Sequence, residues 1–196
     1  VLSVKPSEKV NLLIDGTYFR NDICLIIYRD DNIKFTQLYR ITNGEKYAEI
    51  REDLANLLEL GVNIESITCD GHRALLKAVK KECKHVIVQR CLVHIQRMCR
   101  IWLSSHPKSL AGYELKKIVG VLHKIKSKND WGYWIVSLIK WHEDYASFIN
   151  EKSYNLQTGR YWYKHKMVRR SFTTIKRALP NMFHYLDNER IPKTTN

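Results

Sequence analysis

Long apolar runs are missing from this 196-residue sequence, and no stretch approaches the ~18 apolar residues of a membrane-spanning helix. A signal peptide, internal repeats and low-complexity tracts are missing as well. Apolar residues still make up 44% of the chain, which is enough for a core and excludes a disordered protein. The length suits one domain, or a domain with an insertion. Because the sequence opens on Val1 rather than Met, we expect a piece of a longer protein.

The sequence also lacks a disulfide framework. Its five cysteines are odd in number, and Cys24 and Cys69 fall within segments that we predict to be buried strands. Such usage is typical of proteins from a reducing compartment. We therefore expect a cytoplasmic protein that makes no contact with a membrane.

Acidic residues are scarce in the second half of the chain. Residues 1–90 carry 14 Lys and Arg against 13 Asp and Glu, whereas residues 91–196 carry 19 against 7, so most of the net charge of +13 lies there. No acidic residue falls between Glu151 and Asp187, where eight basic residues alternate with aromatic ones. A local basic block of this kind favours a nucleic-acid partner over a merely soluble basic surface.

The first 90 residues predict alternating strands and helices. Buried or alternating apolar segments indicate strands, and apolar positions three and four residues apart indicate helices. The expected order is β-β-β-α-β-α-β, with strands at 10–14, 23–29, 33–40, 64–69 and 86–89, and helices at 45–60 and 72–82. The last two strands are reached through helices, so they should lie parallel to the first. This α/β layout, with a mixed five-stranded sheet, is that of a ribonuclease-H-like core.

Two of the predicted strands end in the dipeptide Asp-Gly, at Asp15 and at Asp70. Ligands of such sheets bind beyond the carboxyl ends of the parallel strands, so neighbouring strands would bring both carboxylates to one edge. Carboxylates are typical ligands of Mg²⁺, and two ions ~4 Å apart stabilise the attacking and leaving oxygens of a phosphodiester. One Asp-Gly alone would indicate only a turn. Two of them in this order favour a metal site, which usually contains a third acid.

A Cys-x-x-His spacing follows the fifth predicted strand, at Cys91 and His94. Zinc would require four ligands. The nearest candidates, Cys83 and His85, would lie ~16 Å away across a strand that rises ~3.3 Å per residue, which excludes one tetrahedral site if the strand is formed. Two alternatives stay open. Either Cys91 is a small buried residue and His94 begins a helix, or His94 lies at the edge of an active site near a phosphate.

The second half of the chain predicts helices, at 92–104, 110–126, 131–149 and 161–179. Within them Trp131, Trp134 and Trp141 recur at helical spacing, which favours packing in a core over stacking on unpaired bases. Trp162 lies within the basic block, and for it a core position and a DNA-facing position are equally open.

Four segments together resemble the DDE transposases of the bacterial insertion-sequence branch of the Mutator-like superfamily. They are LLIDGTYF, ITCDGHRALLKAV, QRCLVHIQR and the closing RIPKTTN. The resemblance covers nearly the whole chain, and its motifs are specific in combination but weak singly. In that family the first catalytic acid ends strand one and the second ends strand four, in correspondence with Asp15 and Asp70. A Cys-x-x-His signature follows strand five, and a helical insertion comes after it.

The resemblance implies a DNA transposase that performs divalent-metal-dependent phosphoryl transfer. Water would cut the transposon end, and the freed 3′-hydroxyl would then attack target DNA. Asp15 and Asp70 would be catalytic and would hold Mg²⁺, for which Mn²⁺ can substitute. The partners would be the double-stranded DNA of transposon ends and target, and further copies of the chain, in the bacterial cytoplasm at the nucleoid. The residues expected to bind or position DNA are Cys91, His94, Arg90, Arg97, Arg160, Trp162, Lys166, Arg169, Arg170 and Arg177.

The expected domains are a catalytic core at 1–92, a helical basic insertion at 93–186 and a return segment at 187–196. In the family a Thr-Thr-Asn stretch precedes the catalytic glutamate by three residues, so the third acid is expected just past Asn196. This piece alone should therefore cut DNA poorly or not at all. Three glutamates of the second half are possible substitutes for this acid, and none of them is assigned the role; these are Glu143, Glu151 and Glu189.

Two other functions stay open on the sequence. A ribonuclease-H-like, structure-specific nuclease would use the same two aspartates without joining strands. An inactive remnant of a transposase would bind DNA and cut nothing. Joined, nicked or unchanged DNA products distinguish the three.

Overall fold

The computed structural model describes residues 9–20 and 22–195. The chain divides into two units, with boundaries after Cys91 and after Pro180. We call residues 9–91 with 181–195 the sheet unit, and residues 92–180 the helical unit. None of the helices in the described part of the chain combines the length and apolar character needed to cross a membrane.

The sheet unit contains five strands of one sheet and two helices. The strands are β1 (Lys9–Tyr18), β2 (Cys24–Asp30), β3 (Phe35–Thr42), β4 (Asn63–Cys69) and β5 (Ile87–Arg90), and the helices are α1 (Tyr47–Glu59) and α2 (Arg73–Glu82). The strands are ordered β3-β2-β1-β4-β5. β1, β2 and β3 run antiparallel, whereas β4 and β5 run parallel to β1. The predicted α/β class with a mixed five-stranded sheet is confirmed, and the ribonuclease-H-like assignment stays a prediction.

The core of the sheet unit forms where the apolar faces of α1 and α2 meet the sheet. Leu12 of β1, Ile26 of β2, Leu54 of α1 and Leu75 of α2 belong to one buried cluster. Burying each of these side chains stabilises the fold by about 1.5–3 kcal/mol. β1 is the central strand of the sheet, and its buried residues in this cluster end at Ile14, directly before Asp15.

The strand β1 does not end at Asp15, so the prediction of its end is wrong. It continues to Tyr18, because Thr17 and Tyr18 pair with β2 in an antiparallel hairpin. The pairing of β1 with β4 does stop one residue before Asp15, at Ile14 opposite Cys69. Asp15 therefore marks the point at which β1 loses one neighbour and keeps the other.

The helical unit contains four helices and a small hairpin. Its elements are α3 (Leu92–Leu103), α4 (Leu110–Gly120), α5 (Lys128–Asn150), β6 (Lys152–Tyr154), β7 (Tyr161–Tyr163) and α6 (Lys166–Ala178). The helix predicted at 110–126 is shorter than expected, since α4 ends at Gly120 and a 3₁₀ turn follows at Leu122–Lys124.

The prediction of a helix from residue 161 is wrong, because residues 161–163 form the strand β7. This strand pairs antiparallel with β6. The intervening turn is stabilised by Asn155, whose Oδ1 accepts hydrogen bonds from the backbone N–H groups of Gln157 and Thr158 at 2.9 and 3.0 Å. Gly159 then takes the left-handed conformation, with φ +65°. Tyr-Trp-Tyr favours a strand, and Asn and Gly favour the turn, so local chemistry outweighs the helical spacing here.

The core position predicted for Trp134 and Trp141 is confirmed. Both side chains are buried. Their Nε1 atoms donate to the carbonyl oxygens of Ile118 at 3.0 Å and Ala111 at 2.9 Å, which satisfies the polar atom of each ring. For Trp131 the predicted core position is wrong, because its side chain is 40% exposed.

Candidate catalytic site

Asp15 and Asp70 lie at the same edge of the sheet. β1 and β4 are parallel and pair as far as Ile14 opposite Cys69, so the two aspartates are the next residues on neighbouring strands. Side chains at matching positions of parallel strands project to the same side. Both aspartates are half-buried. The strand register therefore agrees with the sequence prediction that both aspartates lie at one edge of the sheet.

Asp70 is held in a tight turn at the start of α2. Its Oδ1 accepts a hydrogen bond from the backbone N–H of His72 at 2.7 Å. Gly71 between them has φ +86°. The Asp-Gly dipeptide thus forms the turn that its composition indicates, and this turn also orients the carboxylate.

The guanidinium of Arg90 lies directly over Gly71. A Cβ atom on Gly71 would stand 1.8 Å from Cζ of Arg90. An Nη atom of Arg90 donates to the carbonyl oxygen of Asp70 at 2.6 Å. The missing side chain at Gly71 therefore lets a cation from β5 approach the end of β4.

Glu45 is a third carboxylate at this edge, and sequence analysis does not single it out. Its side chain is only 7% exposed, and its Oε2 lies 3.7 Å from Nδ1 of His72. The hydroxyl of Tyr18 donates to the same oxygen at 3.4 Å. A Cβ atom on Gly16 would stand 2.8 Å from Oε1, so the glycine of the first Asp-Gly makes room for this carboxylate.

The environment of Glu45 is dominated by burial and by negative charge. Burial raises the pKa of its carboxyl group, and the charges of Asp70 and, more weakly, Asp15 raise it further. The imidazole of His72 and the Tyr18 hydroxyl act in the opposite direction. Three carboxylates therefore lie within electrostatic reach of one another. In the sequence, the approach of Glu45 is indicated only by the glycine that follows each aspartate. These glycines do not identify which side chain occupies the space beside them.

The donor chemistry of this edge fits a divalent cation. Carboxylate oxygens are the ligands that Mg²⁺ and Mn²⁺ prefer, and crowded like charges are relieved by a bound cation. Within residues 9–20 and 22–195, no three His, Cys, Asp or Glu side chains are arranged to enclose a metal ion. Asp15 and Asp70 can hold such an ion only together with ligands from water, nucleic acid or another acid.

The chain returns to the sheet unit at residue 181, earlier than the predicted 187, and residues 181–195, which we call the return segment from here on, are anchored beside the same edge. Nε2 of Gln89 on β5 donates to the carbonyl oxygen of Met182 at 2.7 Å. Oγ1 of Thr68 on β4 donates to the carbonyl oxygen of Pro192 at 2.7 Å. The segment is thus attached to both β4 and β5. Its contact with Thr68 lies two residues before Asp70 on β4.

Cys91 joins the return segment to the end of β5. Its side chain is buried, and its sulfur accepts hydrogen bonds from the backbone N–H and the Oγ1 of Thr195 at 3.3 and 3.5 Å. Its own backbone N–H donates to the carbonyl oxygen of Cys69 at 2.7 Å. His94 is half-buried in the first turn of α3. The strand β5 that separates Cys83 and His85 from Cys91 is formed, so the spacing argument against one zinc site applies.

The remaining predicted DNA-binding residues lie in the helical unit. Arg97 is exposed on α3, and Arg170, on α6, is exposed with its guanidinium over the ring of Trp102 at 4.4 Å. Arg169 is half-buried, with its guanidinium 3.8 Å from the ring centre of Tyr163. The others are also exposed; these are Arg160, Trp162, Lys166 and Arg177. Their contact with DNA stays a prediction.

Comparison with known proteins identifies a family. The family model described as "Transposase, Mutator family" matches residues 36–176, a range that includes Asp70, Cys91 and His94 and begins after Asp15. A search of curated proteins finds no significant match. Since the family match spans well over half of the chain, and since the motifs at Asp70 and Cys91 fall within it, the protein belongs to the Mutator family of transposases.

Proposed function

We propose that the protein is the catalytic domain of a DNA transposase, which cuts transposon ends and joins them to target DNA with the help of a divalent metal ion. Membership of the family supports a role in transposition. The observation that carries the finer proposal is the parallel register of β1 and β4, which brings Asp15 and Asp70 together. The strand order also supports a ribonuclease-H-like core.

In this proposal Asp15 and Asp70 hold Mg²⁺, or Mn²⁺ as a substitute. A bound ion of this kind would lower the barrier by stabilising charge on the attacking and leaving oxygens. The backbone N–H of His72 orients the Asp70 carboxylate. Arg90, fixed on the carbonyl oxygen of Asp70, places a guanidinium beside the carboxylates, where it suits a phosphate oxygen of the DNA backbone.

The proposed chemistry consists of two phosphoryl transfers. In the first, a water oxygen attacks the phosphorus at the transposon end, the P–O3′ bond breaks and a 3′-hydroxyl is released. In the second, this 3′-hydroxyl attacks a phosphodiester of the target, a new P–O bond forms and a target 3′-oxygen leaves. Each step also moves one proton from the attacking to the leaving oxygen.

The third acid of the family pattern is expected just past Asn196 and lies outside the described residues. The anchoring of the return segment on Thr68 and Gln89 supports its delivery to this edge. Residues Thr194 and Thr195 correspond to the family stretch that precedes the glutamate. We propose that this acid completes the site and that the protein acts as a homo-oligomer on paired ends.

The proposal is tested with the protein extended by its native continuation, Mg²⁺, and duplexes carrying the ends that flank its own gene. Asp15→Asn and Asp70→Asn are expected to abolish cutting and leave DNA affinity unchanged. Asp22→Asn is the matched control, because Asp22 is exposed and its φ of +56° is one that Asn tolerates.

The products decide between the candidate functions. Nicked and joined strands support a transposase, whereas nicks without joining indicate a nuclease. Binding without any cutting in Mg²⁺ or Mn²⁺ indicates an inactive remnant and overturns the enzymatic proposal. Equal loss of DNA binding in both aspartate variants shows that these residues are structural.

A further inference from the structure

We propose that the hairpin of β6 and β7 (residues 152–163) is a DNA-binding element in which cations hold the phosphates and apolar residues touch the bases or sugars. The inference rests on the proposed function, because it takes DNA to be the substrate. The sequence prediction already assigns Arg160 and Trp162 to DNA, but it treats residues 161–179 as one helix and gives Lys152 and Leu156 no role; the inference adds the hairpin as the binding element.

One face of the hairpin combines aromatic rings with cations. The side chains of Tyr154, Tyr161 and Tyr163 succeed one another, with Tyr161 6.0 Å from Tyr154 and 5.9 Å from Tyr163 between ring centres. Nζ of Lys152 lies 4.0 Å from the ring centre of Tyr161. Arg169, at the start of α6, covers Tyr163. These contacts hold the cations in place, so a phosphate can bind them with less loss of side-chain freedom.

The opposite face and the tip expose large apolar side chains. Trp162, opposite Ser153, is 53% exposed, and Leu156 in the turn is 99% exposed. A ribbon of three residue pairs has too small a core to bury such side chains, so they stay available to a partner. Exposed apolar groups rimmed by cations are typical of a binding surface.

The charge around the hairpin selects the partner. The acid nearest to it in sequence, Glu151, is already paired with Lys164 and His165. Arg160 at the end of the turn is exposed and adds a cation beside the apolar tip. Cations with flat aromatic rings fit a polyanion that carries stacked bases, whereas a phosphate-only ligand would leave the rings and Leu156 unused. Apolar wedges beside basic residues also enter DNA grooves in other proteins.

A basic, aromatic cleft continues this surface at the base of the hairpin. It has a volume of about 620 Å³ and is lined by Trp102, Phe148, Lys108, Lys164 and Lys166 among others. Its lining repeats the combination of rings and cations seen on the hairpin. A duplex bound by the hairpin would therefore contact aromatic rings and cations both on the hairpin and in this cleft.

The test measures the affinity of the 196-residue chain and of the extended protein for a fluorescent duplex over a range of salt concentrations. Leu156→Ala and Trp162→Ala are expected to weaken binding about tenfold without changing the salt dependence. Lys152→Ala and Arg160→Ala are expected to weaken binding and to lower the salt slope by about one each.

Matched controls come from exposed residues elsewhere in the chain. Leu60→Ala and Tyr133→Ala remove side chains that are 73% and 79% exposed outside the hairpin, and Lys140→Ala removes an exposed cation from α5. These variants should bind DNA within about twofold of the wild type. Circular dichroism confirms that every variant is folded.

The outcomes separate this inference from the proposed function. If the wild type binds DNA and the hairpin variants bind equally well, the hairpin inference is overturned and the proposed function stands. If the wild type does not bind DNA at all, both fail. If the hairpin variants lose affinity for anionic phosphatidylserine vesicles but not for DNA, the surface binds membranes and the inference is wrong.

Discussion

At the scale of single residues, the candidate site depends on two glycines whose missing side chains leave space for charged neighbours. Gly16 admits the carboxylate of Glu45, and Gly71 admits the guanidinium of Arg90. Two glycines thus allow an anion to approach β1 beside Asp15 and a cation to approach the end of β4. This arrangement explains why each aspartate of the pair is followed by glycine in this chain.

Glu45→Gln is expected to stabilise the metal-free protein at pH 7 and to weaken its affinity for Mn²⁺. The folded-state pKa of Glu45 is raised, so its favourable contribution is present at low pH and is lost as the pH rises through that value. Glutamine keeps the shape and removes the charge. Urea unfolding at pH 4 and pH 7 should show an advantage of the variant that grows with pH.

The control for Glu45→Gln is Glu59→Gln, at the exposed end of α1. It should change neither urea stability nor Mn²⁺ affinity, which is measured by calorimetry on the extended protein. An unaltered Mn²⁺ affinity in Glu45→Gln would show that this carboxylate does not contribute to the cation site.

Gly71→Ala is expected to destabilise the protein by more than Gly61→Ala. Both glycines have positive φ, +86° and +83°, so both substitutions carry a backbone cost of about 1–2 kcal/mol. Only at Gly71 would the new Cβ collide with Arg90, whereas nothing lies within 4 Å of that position at Gly61. The difference between the two urea midpoints therefore measures the displacement of Arg90, and equal midpoints would contradict the close approach.

At the scale of elements, the amino terminus of α5 shows how a local motif defines a boundary. Oγ of Ser127 accepts a hydrogen bond from the backbone N–H of Asp130 at 3.1 Å, and the Asp130 carboxylate accepts from the N–H of Ser127 at 3.0 Å. This reciprocal cap begins the helix at Lys128, three residues before the apolar spacing alone predicts.

Ser127→Ala is expected to lower the free energy of unfolding by about 1 kcal/mol, because it removes the cap. Ser147→Ala, at an exposed position inside the same helix, should have no such effect. Urea unfolding followed by circular dichroism measures both. Equal stability of the two variants would contradict a capping role.

The acid of this cap should titrate below the usual range for aspartate. Hydrogen bonds from the N–H of Lys126 and from Ser127 lower the pKa of Asp130. Its contribution to stability is therefore present above an ordinary pKa of about 3.9 and is lost as the pH falls through the lowered value. NMR titration of the carboxyl carbon checks this, and a midpoint at or above the ordinary value would contradict it.

At the scale of the whole molecule, all five cysteines are buried, free thiols, and all lie in the described part of the chain. Burial raises the pKa of Cys83 to about 11, and those of Cys69 and Cys99 to about 12. Since the thiolate is the reactive form, we expect the native protein to resist thiol reagents at pH 8.

In buffer, the thiols are expected to react slowly with a chromogenic disulfide reagent. In urea, five thiols per chain are expected to react rapidly. Cys83 is 6% exposed, more than any of the other four cysteines, and should therefore be the first to react. Rapid labelling of any cysteine in the native protein at pH 8 would contradict the burial described here.

Local chemistry in the sequence determined much of this protein. Apolar periodicity was enough to predict the five strands of the sheet and, within a few residues, the helices α3 and α5. The connections between the strands were enough to predict which of them run parallel and which antiparallel. The Asp-Gly dipeptides predicted that Asp15 and Asp70 lie at one edge of the sheet, and the parallel register of β1 and β4 agrees with this, whereas a shared metal site stays a prediction. The basic block was evident from the imbalance of charged residues along the sequence, and no knowledge of the fold was needed to find it.

Tertiary structure alone decided the rest, because it depends on contacts between distant residues. The end of β1 is set by pairing with β2, which carries the strand past Asp15 to Tyr18. Glu45 enters the site through space left by Gly16, and nothing near Glu45 in sequence records that space. The return segment reaches Thr68 and Cys91 across more than a hundred residues. Spacing along a chain reports local conformation, whereas such contacts exist only once the sheet has formed.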